Sequence, residues 1–206
     1  IVIDLDIAEA NIAKLQDAAN EMGVDVRPHS KTNKSPYWVH KQLEAGAIGV
    51  CCAKVGEAEV MVEAGVPEVM IPNQVIGKQK IARLVALAGS ARMIVAVEAS
   101  ENVSQLSEAA SAAGAELGVI VEVNVGMDRC GVDGDGAVEL AKQIDAAPGL
   151  RFDGLMGYEG HTVNERDYEV RKINVEKAMA ILTGAADQIR ATGIEVKLVS
   201  AAGTGT

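Results

Sequence analysis

The stretch Val24-Asp25-Val26-Arg27-Pro28-His29-Ser30-Lys31-Thr32-Asn33-Lys34-Ser35-Pro36 carries a short apolar run into a helix start with no glycine between them. Ser35 reads as a helix cap and Pro36 as a first helical residue. A dinucleotide-binding open sheet needs Gly-x-Gly-x-x-Gly at its first strand-to-helix turn, and neither this turn nor the one at Asp4–Ile7 has it. Outward from here the chain repeats one punctuation: an Ala-rich amphipathic stretch, a glycine, then an apolar β-branched run. The glycines are Gly23, Gly46, Gly65, Gly89, Gly114, Gly149 and Gly193. A glycine supplies the left-handed helix end. The runs that follow (Val24–Val26, Ile48–Cys52, Val69–Ile71, Met93–Val97, Val119–Val125, Phe152–Met156, Val196–Val199) are mostly apolar, as parallel strands buried on both faces are. Asp6 and Ser100 are placed to cap helices.

Helix followed by parallel strand, many times over, suits either a doubly wound sheet or a closed barrel. The missing fingerprint, and units of about 20 to 45 residues without a composition break, predict an α/β fold of the (β/α)8 TIM-barrel class. Seven of the eight strands are expected within residues 1–206, with one missing. Ile1–Leu5 reads as a further strand, in the barrel or in another layer, and Val132–Gly136 as a turn. The chain lacks an initiator Met and stops just after a strand, so a piece of a longer polypeptide is expected.

The 206 residues are 49% hydrophobic and 23% charged, which excludes disorder and collagen-like fibre. A net charge of −10 leaves no basic face for nucleic acid. With 2% aromatics the core must be aliphatic. Three cysteines make no disulfide framework, so a reducing, cytoplasmic compartment is expected. Arg83, Arg92 and Glu98 interrupt the longest apolar candidate for a membrane span, and the opening residues lack the positive start of a signal peptide.

Working residues of such barrels follow the strands. Arg27, His29, Lys31 and Lys34 crowd one turn, where neighbouring cations favour the free amine that Schiff-base chemistry needs; a solvated basic turn is the plainer reading. Tyr158-Glu159-Gly160-His161 gathers proton-transfer groups, with His161 as a general base and Tyr158 or Glu159 as acid or orienter, or simply a hydrogen-bonded strand-end histidine. Arg129 is suited to hold a phosphate, carboxylate or phenolate, or to pair with Glu122 or Asp128. The small residues and hydroxyls of Ser200–Thr206 suit a phosphate grip. Three scattered histidines argue no metal site, and Cys51 and Cys52 read as small core residues.

Taken in order, Arg-Pro-His-x-Lys-Thr-x-Lys, Gly49-Val-Cys-Cys-x-Lys-Val-Gly-Glu-Ala-Glu59, Val-Gly-Met-x-Arg-Cys-Gly-Val132 and Ser-x-x-Gly-Thr-Gly-Thr resemble the D-threonine aldolase and D-serine dehydratase family. These are alanine-racemase-like, fold-type III pyridoxal phosphate enzymes. The resemblance spans the whole chain. It implies a partial N-terminal barrel domain over 1–206, with a strand and a C-terminal β domain lying beyond. It implies pyridoxal 5′-phosphate on Lys31 as a Schiff base, in a pocket with His29 and Tyr158. Arg129 would face the phenolic oxygen, and Ser200, Gly203 and Thr204 would hold the phosphate. It implies that His161 takes the proton of the substrate's β-hydroxyl, and that a D-3-hydroxy amino acid such as D-threonine is cleaved to glycine and an aldehyde. A divalent metal (manganese, magnesium or zinc) with ligands outside this chain, and a homodimer, are also implied. The family often has His where this chain has Asn33, and the aldolases often have Gln where it has Ala53.

Competing expectations are a dehydratase acting on D-serine or 3-hydroxy-D-aspartate, an amino-acid racemase of the same family, and a cofactor carrier without turnover. A sugar-phosphate barrel using only the Gly203–Thr206 grip is the alternative that dispenses with the cofactor.

Overall fold

The computed structural model describes residues 2–203 and 205–206. Val2–Asp4 are irregular, and helix α1 (Leu5–Met22) begins at once after them. The strand expected at the opening is therefore not found; Ile1 lies outside the described residues. The apolar Val2-Ile3 pair favours a strand, but the Asp4 carboxylate accepts the Ile7 N–H at 3.2 Å and starts a helix. Asp4, not Asp6, is the cap. Gly23 ends α1 in the left-handed conformation, with φ of 69°.

Six strands follow: β1 (Val50–Cys51), β2 (Glu68–Gln74), β3 (Arg92–Val97), β4 (Leu117–Glu122), β5 (Leu150–Met156) and β6 (Leu198–Ser200). All are parallel and pair in chain order. Between them run α2 (Pro36–Ala45), α3 (Val55–Glu63), α4 (Lys78–Leu87), α5 (Ser100–Ala113), α6 (Gly134–Ala146) and α7 (Tyr168–Ala191). Right-handed crossovers in unbroken sequence put the connecting helices on one face, and a sheet covered on one side curls toward a barrel. The architecture is the expected incomplete TIM-type barrel.

The strand count differs from seven. Val24–Val26 runs beside β1, with Ile48 N–H donating to Val26 O at 3.0 Å and Cys51 N–H to Pro28 O at 2.8 Å, but a ladder bridge forms only at His29. Pro28 has no N–H with which to continue the pairing. In place of the expected turn at Val132–Gly136, Val132 bridges to Val123 and α6 begins at Gly134, because Asp133 accepts the Gly136 N–H at 2.8 Å. Ser100 is the first residue of α5, and Ala99 occupies its cap position.

Strand alternation sorts the core into two clusters. Met93, Val95 and Val97 of β3 pack against the helices, whereas Ile94 and Ala96 point inward and join Cys51, Met70, Ile120 and Met156. Below that inner apolar layer, at the N-terminal ends of the strands, runs a chain of ion pairs. Arg27 binds Glu68, whose other oxygen meets Arg92 Nη1 at 3.1 Å. Arg92 Nη2 reaches Asp153 Oδ2 at 3.5 Å, and Arg151 grips Asp153 with Nε at 2.7 Å and Nη2 at 2.9 Å while also binding Glu116. Asp153 is 1% exposed. Gly118 lies opposite Arg151 in the ladder, and a Cβ there would overlap the Asp153 carboxylate. Among the described residues no helix is long and apolar enough to cross a membrane, and all three cysteines are free.

Truncating Asp153 removes the buried carboxylate shared by two guanidinium groups, leaving Arg92 with Glu68 and Arg151 with Glu116 alone. Asp153→Ala is therefore expected to lower unfolding free energy by about 2 kcal/mol. Glu139→Ala, at a surface pair with Lys142, should change it by less than about 0.5 kcal/mol. Urea midpoints measure both, and equal effects would show that the ionic floor contributes no more than a surface pair.

Candidate active site

The sequence-predicted residues that the structure describes end or follow strands, or the strand-like run before β1, on one rim of the sheet. Lys31 is exposed on a single 3-10 turn, Ser30–Thr32. Two contacts hold that turn. Buried Ser30 Oγ donates to Cys51 O at 3.1 Å, and His29 Nδ1 accepts the Lys31 N–H at 3.2 Å. An Nδ1 that accepts carries no proton, so the neutral ring is the tautomer protonated on Nε2. Burial, and then the charge of Lys31, hold the His29 pKa below its ordinary value of 6.5. Cys51 and Cys52 are buried at the end of β1, as core residues; burial pushes the Cys51 thiol up to about 12.

The loop after β4 carries Arg129. Asn124 organises it: its Oδ1 accepts the N–H groups of Gly126 at 3.0 Å and Asp128 at 3.1 Å, and its Nδ2 donates to Asp128 Oδ1 at 2.8 Å. Glu98, at the end of β3, accepts the Gly131 N–H. Gln74, at the end of β2, donates to Glu122, whose carboxyl is pushed up by burial, with Glu98 adding to the shift. Arg129 itself is exposed and, among the described residues, forms no ion pair with Glu122 or Asp128. One ligand-type atom each from Glu98, Glu122 and Cys130 lie within 4.8 Å of one another. Each carboxylate accepts one hydrogen bond here, Glu98 from the Gly131 N–H and Glu122 from the Gln74 amide.

After β5 the chain turns through Tyr158, buried Glu159, Gly160 and exposed His161. Contacts link this turn to the loops on either side. A Cβ on Gly126 would stand 3.4 Å from His161 Cε1, so the histidine ring lies against the Arg129 loop. Tyr158 lies between two glycines: a Cβ on Gly203 would come to 2.9 Å from its ring, and one on Gly160 would overlap it. Ser200 O accepts the Gly157 N–H at 3.0 Å. The structure thus joins Tyr158 to Gly203 and His161 to the Arg129 loop. Among the described residues no hydrogen bond or ion pair links the Lys31 amine to any of them. Thr204 lies outside the described residues.

Sequence reasoning missed Gln74, Glu98 and Asn124. A signal for Glu98 was present: Arg92, Ile94, Ala96 and Glu98 alternate onto one face of β3, as Gly118, Ile120 and Glu122 do on β4.

The family model described as alanine racemase, N-terminal domain, matches residues 3–206. The chain belongs to this family. Among curated relatives it is 40% identical over its whole length to a D-threonine aldolase from Arthrobacter, covering 55% of that protein. It is 39% identical to a 3-hydroxy-D-aspartate aldolase from Paracoccus denitrificans, again over the whole chain and 54% of the relative. It spans about half the length of the curated relatives it matches. The crystal structure of D-threonine aldolase from Filomicrobium marinum superposes with a TM-score of 0.97 at 44% identity, over 99% of this chain and 56% of that one.

In this family member, folding holds the His29 ring neutral in a pH range where the unfolded chain binds a proton. The stability due to His29 is therefore complete above pH 6.5 and is lost as pH falls through the lower folded-state value. NMR titration of the ring should give a midpoint below 6.5 that rises, without fully recovering, in Lys31→Ala. An unshifted midpoint would contradict the burial argument.

Proposed function

We propose that this chain is the cofactor-binding part of a pyridoxal 5′-phosphate-dependent lyase that cleaves D-threonine-like D-3-hydroxy amino acids to glycine and an aldehyde. The observation that carries the reading is that Lys31, Arg129, His161 and Ser200–Gly203, from four separate stretches, end up on one rim of a barrel whose full length matches aldolases.

The residues fit the cofactor. The Ser200 hydroxyl and the small residues that follow it at the end of β6, with the Tyr158 ring packed against Gly203, supply a lining of the kind a phosphate takes. When bound, the cofactor supplies an electron sink for the bond broken at the substrate's Cα. Lys31 would hold it through its aldehyde carbon, with an exposed amine on a short, anchored turn. Arg129 sets a positive charge against the phenolic oxygen. Ser200 and Gly203, with Thr204, take the phosphate, and His29, kept neutral, lines the pocket without adding charge. His161 accepts the proton of the substrate's β-hydroxyl as the Cα–Cβ bond opens. The metal implied by the resemblance would meet its ligands beyond these residues, and a homodimer would close the site.

Borohydride reduction of the full-length protein followed by peptide mapping should place a pyridoxyl group on Lys31; an unmodified Lys31 in excess cofactor would overturn the reading. With D-threonine the expected products are glycine and acetaldehyde. Ammonia and a 2-oxo acid would indicate a dehydratase, and L-allo-threonine, the Cα epimer, a racemase. His161→Ala should keep the Lys31 adduct and lower kcat by about 10²- to 10⁴-fold. Unchanged turnover would remove His161 from the chemistry.

A further inference from the structure

We propose that Glu159 is the positioning residue that holds Ala202, Gly203 and Thr206 in place, and thereby sets the preference of the protein for a phosphorylated ligand. The inference rests on the reading that this loop takes the cofactor's phosphate.

Glu159 is 1% exposed, and among the described residues no cation pairs with it. A buried carboxylate without a counter-ion is tolerated only where hydrogen-bond donors are aimed at both oxygens. Those donors come from the loop, more than forty positions away in the chain. Oε2 accepts the Ala202 N–H at 3.3 Å, and Oε1 accepts the Thr206 hydroxyl. Thr206 in turn closes the loop on itself: its Oγ1 accepts the Gly203 N–H at 3.0 Å, and its own N–H donates to Gly203 O at 3.2 Å. Between these anchors Ala202 sits at φ of 77°, left-handed backbone that an alanine holds only when its surroundings impose it. Acceptance of its N–H by Glu159 is such an imposition.

The same residue also governs the turn on the other side. Its carbonyl accepts the Thr162 N–H at 2.9 Å and the Thr162 hydroxyl at 2.8 Å, and these bonds close the short helix that bears His161. One residue therefore meets both segments, the phosphate loop through its side chain and the turn that bears the proposed base through its backbone carbonyl. Two polar atoms are required, because the two partners are separate groups four residues apart, which explains a forked side chain here in place of a hydroxyl.

The test uses the full-length protein freed of cofactor and titrated, by visible absorbance, with pyridoxal 5′-phosphate and with pyridoxal. Both form the same bond to Lys31, and only the first needs the loop. Glu159→Ala should weaken binding of the phosphorylated form by about tenfold or more, the loss of charge-assisted hydrogen bonds, with pyridoxal binding within about threefold of wild type. Glu159→Gln should recover most of the preference, since its carbonyl can accept from Ala202 and its amide can donate to the Thr206 hydroxyl. Equal weakening of both ligands, or no weakening, overturns the proposal. If Glu159→Ala does not fold, Thr206→Val removes one contact from the loop side and should lower the same ratio; an unchanged ratio overturns the proposal there too. A wild-type protein that forms no adduct with either ligand brings down the functional reading and this inference with it, whereas a discriminating wild type with an equally discriminating Glu159→Ala removes only the role of Glu159.

Discussion

The arrangement at the mouth of the barrel depends on the ion-pair chain at its floor. Arg92, Glu68, Asp153 and Arg151 lie on three different strands and satisfy one another only in the observed register. A slip of one residue in β3 would turn Arg92 into the apolar layer against the helices and Met93 into the barrel. The same alternation that fixes Arg92 at the floor carries upward through Ile94 and Ala96 to Glu98 at the rim. Pairing at one end of the strands thereby decides which side chains line the other.

Between floor and rim, the inner apolar layer separates two electrostatic regimes. At the floor, carboxylates meet guanidinium groups. At the rim three of them meet N–H groups and amides instead, Glu98 with Gly131, Glu122 with Gln74 and Glu159 with Ala202, while Glu57 accepts the Ala53 N–H and also pairs with Lys34. Loops fastened by carboxylate-to-backbone bonds keep their shape without consuming a cation, and this leaves Lys31 and Arg129 exposed and free to engage a ligand.

Much of this could be read from the chain. Glycine-ended helices alternating with apolar runs, with no phosphate fingerprint in the first turn, indicated the barrel, and the four motif stretches located the rim. The errors arose where one polar contact outweighed local pattern. Ile-Val-Ile favours a strand until Asp4 captures the Ile7 N–H; Gly134 and Gly136 favour a turn until Asp133 captures Gly136; the first strand is cut short by an imino acid at 28. Residues adjacent in space but distant in sequence were beyond reach. Nothing in the order of the chain says that Tyr158 faces Gly203, that His161 faces Gly126, or that Glu159 answers Ala202 and Thr206.

The ring of Tyr158 fills the space that side chains at 160 and 203 would otherwise claim, so the three positions share one fixed volume. Change in this corner of the site must then be concerted. A methyl gained at either glycine has to be matched by a smaller side chain at 158, and an aromatic retained at 158 keeps both neighbours bare. Any drift in how the protein grips its ligand would pass through that exchange, and it would be visible among relatives as correlated sizes at three positions.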